Sequence, residues 1–197
     1  IATLHQEFDR VEPSVSDQDR DDIHQCQQGS EVAYARIVNR YQPIIARQMW
    51  RFTRNPQLLE ELVQEVFVEA YTSLHSFKHK APFEHWLRKI ATRVGYRFWK
   101  HKNRDTLRKE QLNQNTHQQP QPNTDTTPSE AAEYLHNLLQ TLPPQERLIL
   151  TLLYFEQWDT QEIADHMGWT RSLVKVRAFR ARKKLKTKLE NAGYASA

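Results

Sequence analysis

One cysteine, two methionines and four glycines in 197 residues exclude several kinds of protein at once. A single thiol cannot build a disulfide framework. So few glycines argue against a Gly-rich phosphate loop and against an all-β fold with many tight turns. Long apolar runs are missing as well: no stretch of ~18 apolar residues is available to span a bilayer, so no membrane insertion is expected. Ile1 to Arg10 lack the basic start and apolar stretch of a secretory leader, which leaves a cytoplasmic chain as the expectation. Charge of one sign is also scarce in the average, since 28 Lys and Arg stand against 24 Asp and Glu, a formal +4. No cofactor motif is present, and no cofactor is expected.

What is there is a strong division of charge. Residues 1–35 hold eight acids and two bases, and residues 55–70 hold Glu60, Glu61, Glu65 and Glu69 with no base. Residues 97–109 hold six bases and one acid, and residues 170–190 hold nine bases and one acid. Two basic segments far apart in the chain fit two contacts with a polyanion, because clustered Lys and Arg release counterions from phosphates. Solvated helix faces are the plain alternative. Between Gln111 and Pro128 the run QLNQNTHQQPQPNTDTTP has one aliphatic residue and buries too little to offset its ordering entropy. It reads as a linker over 107–127, between a domain at 22–106 and a second at 128–190. Polar tails are expected over 1–21, which is acidic, and 191–197.

Both domains read as helical. Leu58, Leu59, Leu62, Val63, Val66, Phe67, Ala70 and Tyr71 follow the 3–4 spacing of one helix face behind Asn55-Pro56, a cap and a first-turn proline. Tyr34, Ile37, Val38 and Tyr41 mark an earlier helix, with Ile44, Ile45, Met49 and Phe52 its continuation or a second helix near Pro43. Phe83, Trp86, Leu87, Ile90 and Val94 form another stripe after Pro82. In the second domain Thr127-Pro128-Ser129-Glu130 has the form of a capping box ahead of Leu135, Leu138, Leu139 and Leu142. Pro143-Pro144 separates that helix from the next, which turns Leu148, Ile149, Leu152 and Leu153 inward.

Asp159 to Leu185 carries the most specific signal. Asp159 and Glu162 make a capping box, Ile163, Ala164 and Met167 face inward, Gly168 supplies a turn, and Thr170 caps a longer basic helix: the pattern of a helix-turn-helix. At ~100° per residue, Val174, Ala178, Ala181 and Leu185 fall in a sector of about 60° and must be the buried face. Lys175, Val176, Phe179, Arg180 and Lys183 lie opposite. An outward Phe among bases suits thymine methyls in a major groove; a protein partner is its alternative. A second constellation, SFKHKAPFEHWLRKIATRVGYRFWKHKNR over 76–104, interleaves aromatic and basic residues as single-strand binders do, although some of the rings must be core.

ELVQEVFVEAYTSLHSFKHKAPFEHWLRKIATRVGYRFWKHK resembles region 2 of bacterial RNA polymerase sigma factors of the extracytoplasmic function type, and LPPQERLILTLLYFEQWDTQEIADHMGWTRSLVKVRAFRARKKLKTKL resembles their region 4. The two motifs occur in the family's order and, with QGSEVAYARIVNRYQP, cover about residues 22–190. The resemblance implies an all-α fold of two small helical domains and a non-enzymatic adaptor that binds core RNA polymerase, recognises promoter DNA and melts it. It places Arg171, Ser172, Lys175, Val176, Phe179, Arg180 and Lys183 at the -35 major groove, with Arg177 near phosphate. It places Phe77, Lys78, His79 and Lys80 in a -10 loop, and Trp86, Arg93, Arg97 and Lys100 on the helix that follows the melted strand. Glu61, Gln64 and Glu65 match the face that meets the clamp helices of the polymerase largest subunit; the polymerase flap region and an anti-sigma factor are further implied partners. Val176 stands where a small polar residue is common, Asp159 where Ser is common, and Arg93 and Arg97 where the family usually has Asn and Asp.

Two rival functions deserve weighing. A helix-turn-helix repressor or activator working without core polymerase would have no use for the acidic 58–71 face or for a melting segment. A metal sensor would draw on His75, His79, His85 and Cys26, but the histidines straddle a loop with Pro82 and no second Cys exists, so no metal site is expected. No Ser or Cys has a base at a recognisable catalytic spacing.

Overall fold

The structure, a computed structural model, describes residues 15–112 and 128–191. All regular elements among these residues are helical. The chain divides into two compact units, Ile1–Val94 and Gly95–Ala197.

The first unit contains α1 (Val15–Gln27), α2 (Glu31–Met49), α3 (Pro56–Ser73), a short 3-10 turn (Leu74–Ser76) and the first part of α4 (Phe83–Leu112). Ser30 starts α2 by accepting from the Ala33 amide at 3.3 Å. Asn55 starts α3 by accepting from the Leu58 amide at 3.0 Å, with Pro56 in the first turn as expected. Pro43 does not divide α2, which runs through it. Pro43 and Asn39, whose carbonyl loses its partner to the proline ring, are both exposed, so water can serve that carbonyl. The opposite face meanwhile buries Ile37, Tyr41, Ile45 and Met49. On α3 the inward residues are Leu62, Val63, Val66, Phe67 and Ala70, and on α4 they are Phe83, Leu87, Ile90 and Val94. Buried Gln48 ties α2 to α4, its amide nitrogen donating to the Arg88 carbonyl and to Thr92 Oγ1, both at 3.1 Å.

Helix α1 begins inside the stretch expected as an acidic tail. Its acids are structural: Arg40 bridges Asp19 at 2.5 Å and Asp22 at 2.6 Å, Arg36 reaches Asp22 at 2.7 Å, and the Tyr41 hydroxyl donates to Asp19. Both carboxylates are buried. Charge read locally looks like a solvated tail, whereas these acids pair with bases some twenty residues away. Similarly, α4 continues to Leu112, into the stretch expected as linker. The remainder of that linker with the Thr127 cap, and the terminal stretches 1–14 and 192–197, lie outside the described residues.

The second unit holds the rest of α4, then α5 (Pro128–Gln140), α6 (Pro144–Tyr154), α7 (Thr160–Met167) and α8 (Arg171–Asn191). Pro143 and Pro144 open α6 as read from the sequence. Leu148, Ile149 and Leu152 are buried, as are Ile163 and Ala164 of α7 and Val174, Ala178 and Ala181 of α8. Lys184 of α8 clasps Glu146 of α6 through both carboxylate oxygens at 2.8 and 2.9 Å.

Candidate functional site

In the second unit, α7 and α8 form the helix-turn-helix. Asp159 accepts from the amides of Gln161 at 2.6 Å and Glu162 at 2.9 Å, and Glu162 accepts from the Asp159 amide at 2.8 Å, completing the capping box. The amides of Glu162 and Gln161 hold the Asp159 carboxyl below its ordinary value, with Arg171 adding a smaller push in the same direction. Gly168 ends α7 at φ 67° and ψ 31°, the left-handed region that glycine enters without a Cβ penalty. The Trp169 amide then closes the turn onto the Ala164 carbonyl at 2.9 Å, and Thr170 Oγ1 accepts from the Leu173 amide at 3.2 Å.

The outward side of α8 is as the wheel predicts. Arg171, Ser172, Lys175, Val176, Phe179, Arg180 and Lys183 are all exposed. Arg171 Nε is held at its base, donating to Thr160 Oγ1 at 3.2 Å. Arg177 departs from the expectation of a free phosphate contact. It is half-buried, its guanidinium carbon lies 5.1 Å from the Trp169 ring centroid, and Nη1 is buried without a hydrogen-bond partner among the described residues. The wheel explains the difference, since Arg177 sits about 70° from the middle of the buried sector. Trp169 also meets Tyr96 edge-on at 6.1 Å, and Arg147 lies over the buried Trp99 at 3.7 Å, all within this unit. Burial pushes the Tyr96 phenol up, against a hydrogen bond with Gln145 and the charge of Arg177.

In the first unit, the segment between the 3-10 turn and α4 carries Lys78, His79 and Lys80, all exposed. His79 adopts φ 54°, a left-handed conformation that a non-glycine residue adopts at a cost. Its ring rests 4.6 Å from that of Phe77. Phe77 itself must be reassigned: it is 7% exposed and packs on Phe83 at 5.4 Å and Trp86 at 5.3 Å. It is the floor beneath the loop, not a surface that DNA reaches, because the aromatic cluster offers it more apolar contact than water does. Trp86, Arg93, Arg97 and Lys100 fall on one stripe of α4, at spacings of seven, four and three. Arg93 and Lys100 are exposed, and Trp86 and Arg97 half-buried.

Glu61, Gln64 and Glu65 are exposed together on α3. The same stripe continues into Val68, 63% exposed, and Tyr71, 46% exposed. The sequence had suggested that Tyr71 faces inward; instead its ring edge meets Tyr34 at 4.8 Å on the surface. The signal for Val68 was available, since it lies three and four residues from Glu65 and Gln64. A further apolar groove of about 430 Å3 opens in the second unit between α5, α6 and α8, lined by Leu135, Leu139, Leu150, Tyr154, Phe155 and Leu185. Its rim carries Arg182 and Lys186.

Among the described residues no group of three or more His, Cys, Asp or Glu is arranged to hold a metal ion. Cys26 is buried on α1, and burial followed by the charge of Asp22 pushes its thiol up, away from the thiolate form. None of the described helices is long and apolar enough to cross a membrane.

A left-handed glycine turn feeding a basic helix, in an all-helical chain with a separate acidic helix face, defines a DNA-binding protein of the helix-turn-helix class. Comparison with known proteins narrows this. Residues 37–105 match the family described as Sigma-70 region 2, and residues 132–185 the family described as Sigma-70, region 4. The ECF RNA polymerase sigma factor SigM of Bacillus subtilis is 30% identical over 154 residues, 76% of this chain and 91% of that one. The ECF RNA polymerase sigma-E factor of Haemophilus influenzae is 28% identical over 178 residues, 85% of this chain and 93% of that one. A solved sigma factor RpoE from Bartonella quintana, in complex with the anti-sigma factor NepR, shares the fold with a TM-score of 0.56 at 16% identity, over 80% of this chain and 96% of that one. The chain belongs to the extracytoplasmic function group of the sigma-70 family. It is a sigma factor, which binds core RNA polymerase and directs promoter-specific initiation, and the double match does not favour a repressor acting without polymerase. The family is one of non-enzymatic initiation factors.

Proposed function

We propose that the chain divides its work by residue as follows. Residues 22–106 serve as region 2, and 128–190 as region 4. Arg171, Ser172, Lys175, Val176, Phe179, Arg180 and Lys183 enter the -35 major groove. Lys78, His79 and Lys80 approach an unstacked base of the -10 element, and Trp86, Arg93, Arg97 and Lys100 follow the single strand. Glu61, Gln64 and Glu65 meet the clamp helices of the polymerase largest subunit, with Val68 and Tyr71 as the apolar end of that face. The groove under Leu139 and Leu150 receives the polymerase flap. The chain acts in the cytoplasm and catalyses no reaction itself.

The observation that carries this reading is the capped α7, left-handed Gly168 and outward basic face of α8, with no acid among Arg171, Ser172, Lys175, Val176, Phe179, Arg180 and Lys183. Phosphate contact by such a face supplies affinity, while base-edge contact supplies sequence preference. An anti-sigma factor holds the chain inactive by covering these polymerase-binding surfaces; the solved neighbour in complex with NepR is the basis for extending that partner class to this chain.

The test is run-off transcription with core polymerase and a genomic DNA pool, with sequencing of the starts. Specific starts are expected with the chain and not with core alone. Glu61→Arg with Glu65→Arg is expected to weaken core binding roughly tenfold or more, as removal of interfacial charge pairs does, while leaving the helical signal intact, because both side chains are exposed. Unchanged core affinity would overturn the assignment of the α3 face.

A further inference from the structure

Between Glu31 and Glu60 the chain carries Arg36, Arg40, Arg47, Arg51 and Arg54 and no acid. At ~100° per residue the three within α2, Arg36, Arg40 and Arg47, fall within about 40° of one another. Asp19 and Asp22 of α1 clasp the first two. The row goes on to Arg47, exposed in the last turn of α2, and then to Arg51 and Arg54 in the tight turn after Met49. There the amides of Arg51 and Phe52 bond back to the carbonyls of Gln48 and Met49 at 3.1 and 2.8 Å. Arg54 is held in place: its guanidinium carbon lies 4.9 Å from the ring centroid of Trp50, which is 40% exposed, and it donates to the Trp50 carbonyl. The bonds of Gln48 to α4 bring Arg88 alongside, where Glu84 pairs with it at 2.7 Å. Burial, and then the like charges of Arg88 and Arg47, press the Arg51 guanidinium below its ordinary value. A cation in the last turn suits a helix C-terminus, which accounts for Arg47 but not for four arginines gathered from two elements.

We propose that Arg47, Arg51, Arg54 and Arg88 form a phosphate-binding surface that holds promoter DNA by its backbone, without regard to sequence and apart from the -10 strand. The inference adds a third contact to the -10 and -35 assignments, and it rests on the reading of the first unit as DNA-binding. Around α4, Arg88 lies about 140–180° from Trp86, Arg93 and Arg97. A strand that follows those three is on the other flank of the helix, so the surface at Arg88 takes a different stretch of backbone. Charge decides the class of partner. A carboxylate serves one or two guanidinium forks at a fixed place, as Asp19 and Asp22 do for Arg36 and Arg40. A phosphodiester backbone brings a charge at every nucleotide and serves several forks spread over two elements at once. The residue type agrees, since every base between Glu31 and Glu60 is an arginine, the cation whose planar fork fits phosphate. Trp50 adds rigidity, because an arginine already propped on an indole loses less freedom when it meets its anion.

The test uses holoenzyme reconstituted from core polymerase and the full chain, on the promoter recovered from the run-off experiment. Arg47→Gln with Arg54→Gln removes two of the charges, and circular dichroism checks that the helical signal is kept. With two duplex phosphate contacts gone, the slope of log K against log salt should become shallower by about 1.8. The wild type's advantage over the variant should therefore shrink about 3.5-fold for each doubling of salt. Arg47→Lys with Arg54→Lys keeps the charges and should keep the slope. A scan of single neutral methylphosphonate linkages along both strands then locates the contact. Some linkages should weaken wild-type binding and have no effect on the Gln pair, and these should lie together, outside the -10 strand. If the Gln pair loses helical signal, Arg47→Gln alone carries the test, with a slope change of about 0.9, because that side chain is exposed.

An unchanged slope in the Gln variants overturns the inference, as does a methylphosphonate profile identical to that of the wild type. So does a profile that changes only within the -10 strand. A loss of affinity for core polymerase in the absence of DNA would make the surface a protein contact and overturn it as well. If wild-type holoenzyme binds promoter and scrambled DNA alike, the sigma-factor site assignments fail instead, and that outcome is visible before any arginine is changed.

Discussion

Arg177 and Arg180 stand three residues apart on α8, and replacing each should damage the protein in a different way. Arg180 is exposed and clear of the core, so Arg180→Ala should leave unfolding within about 0.5 kcal/mol of wild type. Its loss should fall on sequence discrimination, by about 1–3 kcal/mol, the usual value of one two-pronged guanine contact. Arg177 is a balance of two opposed terms. Its guanidinium over Trp169 contributes about 1–2 kcal/mol when half-desolvated. Against that stands buried Nη1 without a partner among the described residues, which costs roughly 1–3 kcal/mol. Arg177→Met keeps an aliphatic chain on the indole and removes the orphaned donor, so stability should change by less than about 1 kcal/mol in either direction. Any loss of DNA binding in Arg177→Met should be equal on promoter and on scrambled -35 DNA. The assays are urea unfolding by circular dichroism and holoenzyme binding to the two templates. The reasoning fails if Arg180→Ala loses equally on both templates, or if Arg177→Met loses on the promoter alone.

Two other outcomes follow from the same kind of accounting. Arg40→Met leaves Asp19 and Asp22 buried with only Tyr41 and Arg36 to answer them, and should destabilise the first unit by about 3 kcal/mol, measured as a fall in its calorimetric transition while the second unit's transition stays in place. For Asp159 the folded carboxyl titrates below its unfolded value, so its contribution is fully present above pH ~4 and is lost as pH falls through the lower, folded value. Asp159→Ala should accordingly flatten the acid limb of helix-turn-helix stability in a pH series, and Asp159→Asn should flatten it too while keeping the cap; equal acid sensitivity in all three proteins would contradict this.

The helices of this chain were largely legible because their apolar spacing and their caps agree. Asn55-Pro56, Pro143-Pro144, Asp159 with Glu162, and Gly168 each occupy the place expected of them. The exposed face of α8 was legible for the same reason, as its inward residues define the outward ones. What escaped depends on contacts distant in sequence. The acids of α1 looked like tail charge until Arg36 and Arg40 were placed beside them. Phe77 was placed in the -10 loop by resemblance, yet a ring one residue past the 3-10 turn is easily claimed by Phe83 and Trp86. Arg177 was placed near phosphate by resemblance alone, and what that could not supply is the reach of a long side chain that folds back over an indole. Pro43 was ambiguous because a proline on the wet side of an amphipathic helix removes one bond without removing the buried face that holds the helix in place.

The turn at Gly168 has a consequence of its own. A methyl placed there would meet no atom within 4 Å, so the glycine is needed for handedness and not for room. An L-residue would face a stereochemical penalty of about 1–2 kcal/mol, whereas a mirror-image alanine introduced by chemical synthesis would be at ease and would stiffen the unfolded chain. The bearing of α8 relative to α7 is thus set by the left-handed backbone angles of one residue, independent of what α8 displays. Promoter preference is free to drift through exchanges on the exposed helix face, such as the valine at 176, while the scaffold that aims that face stays fixed.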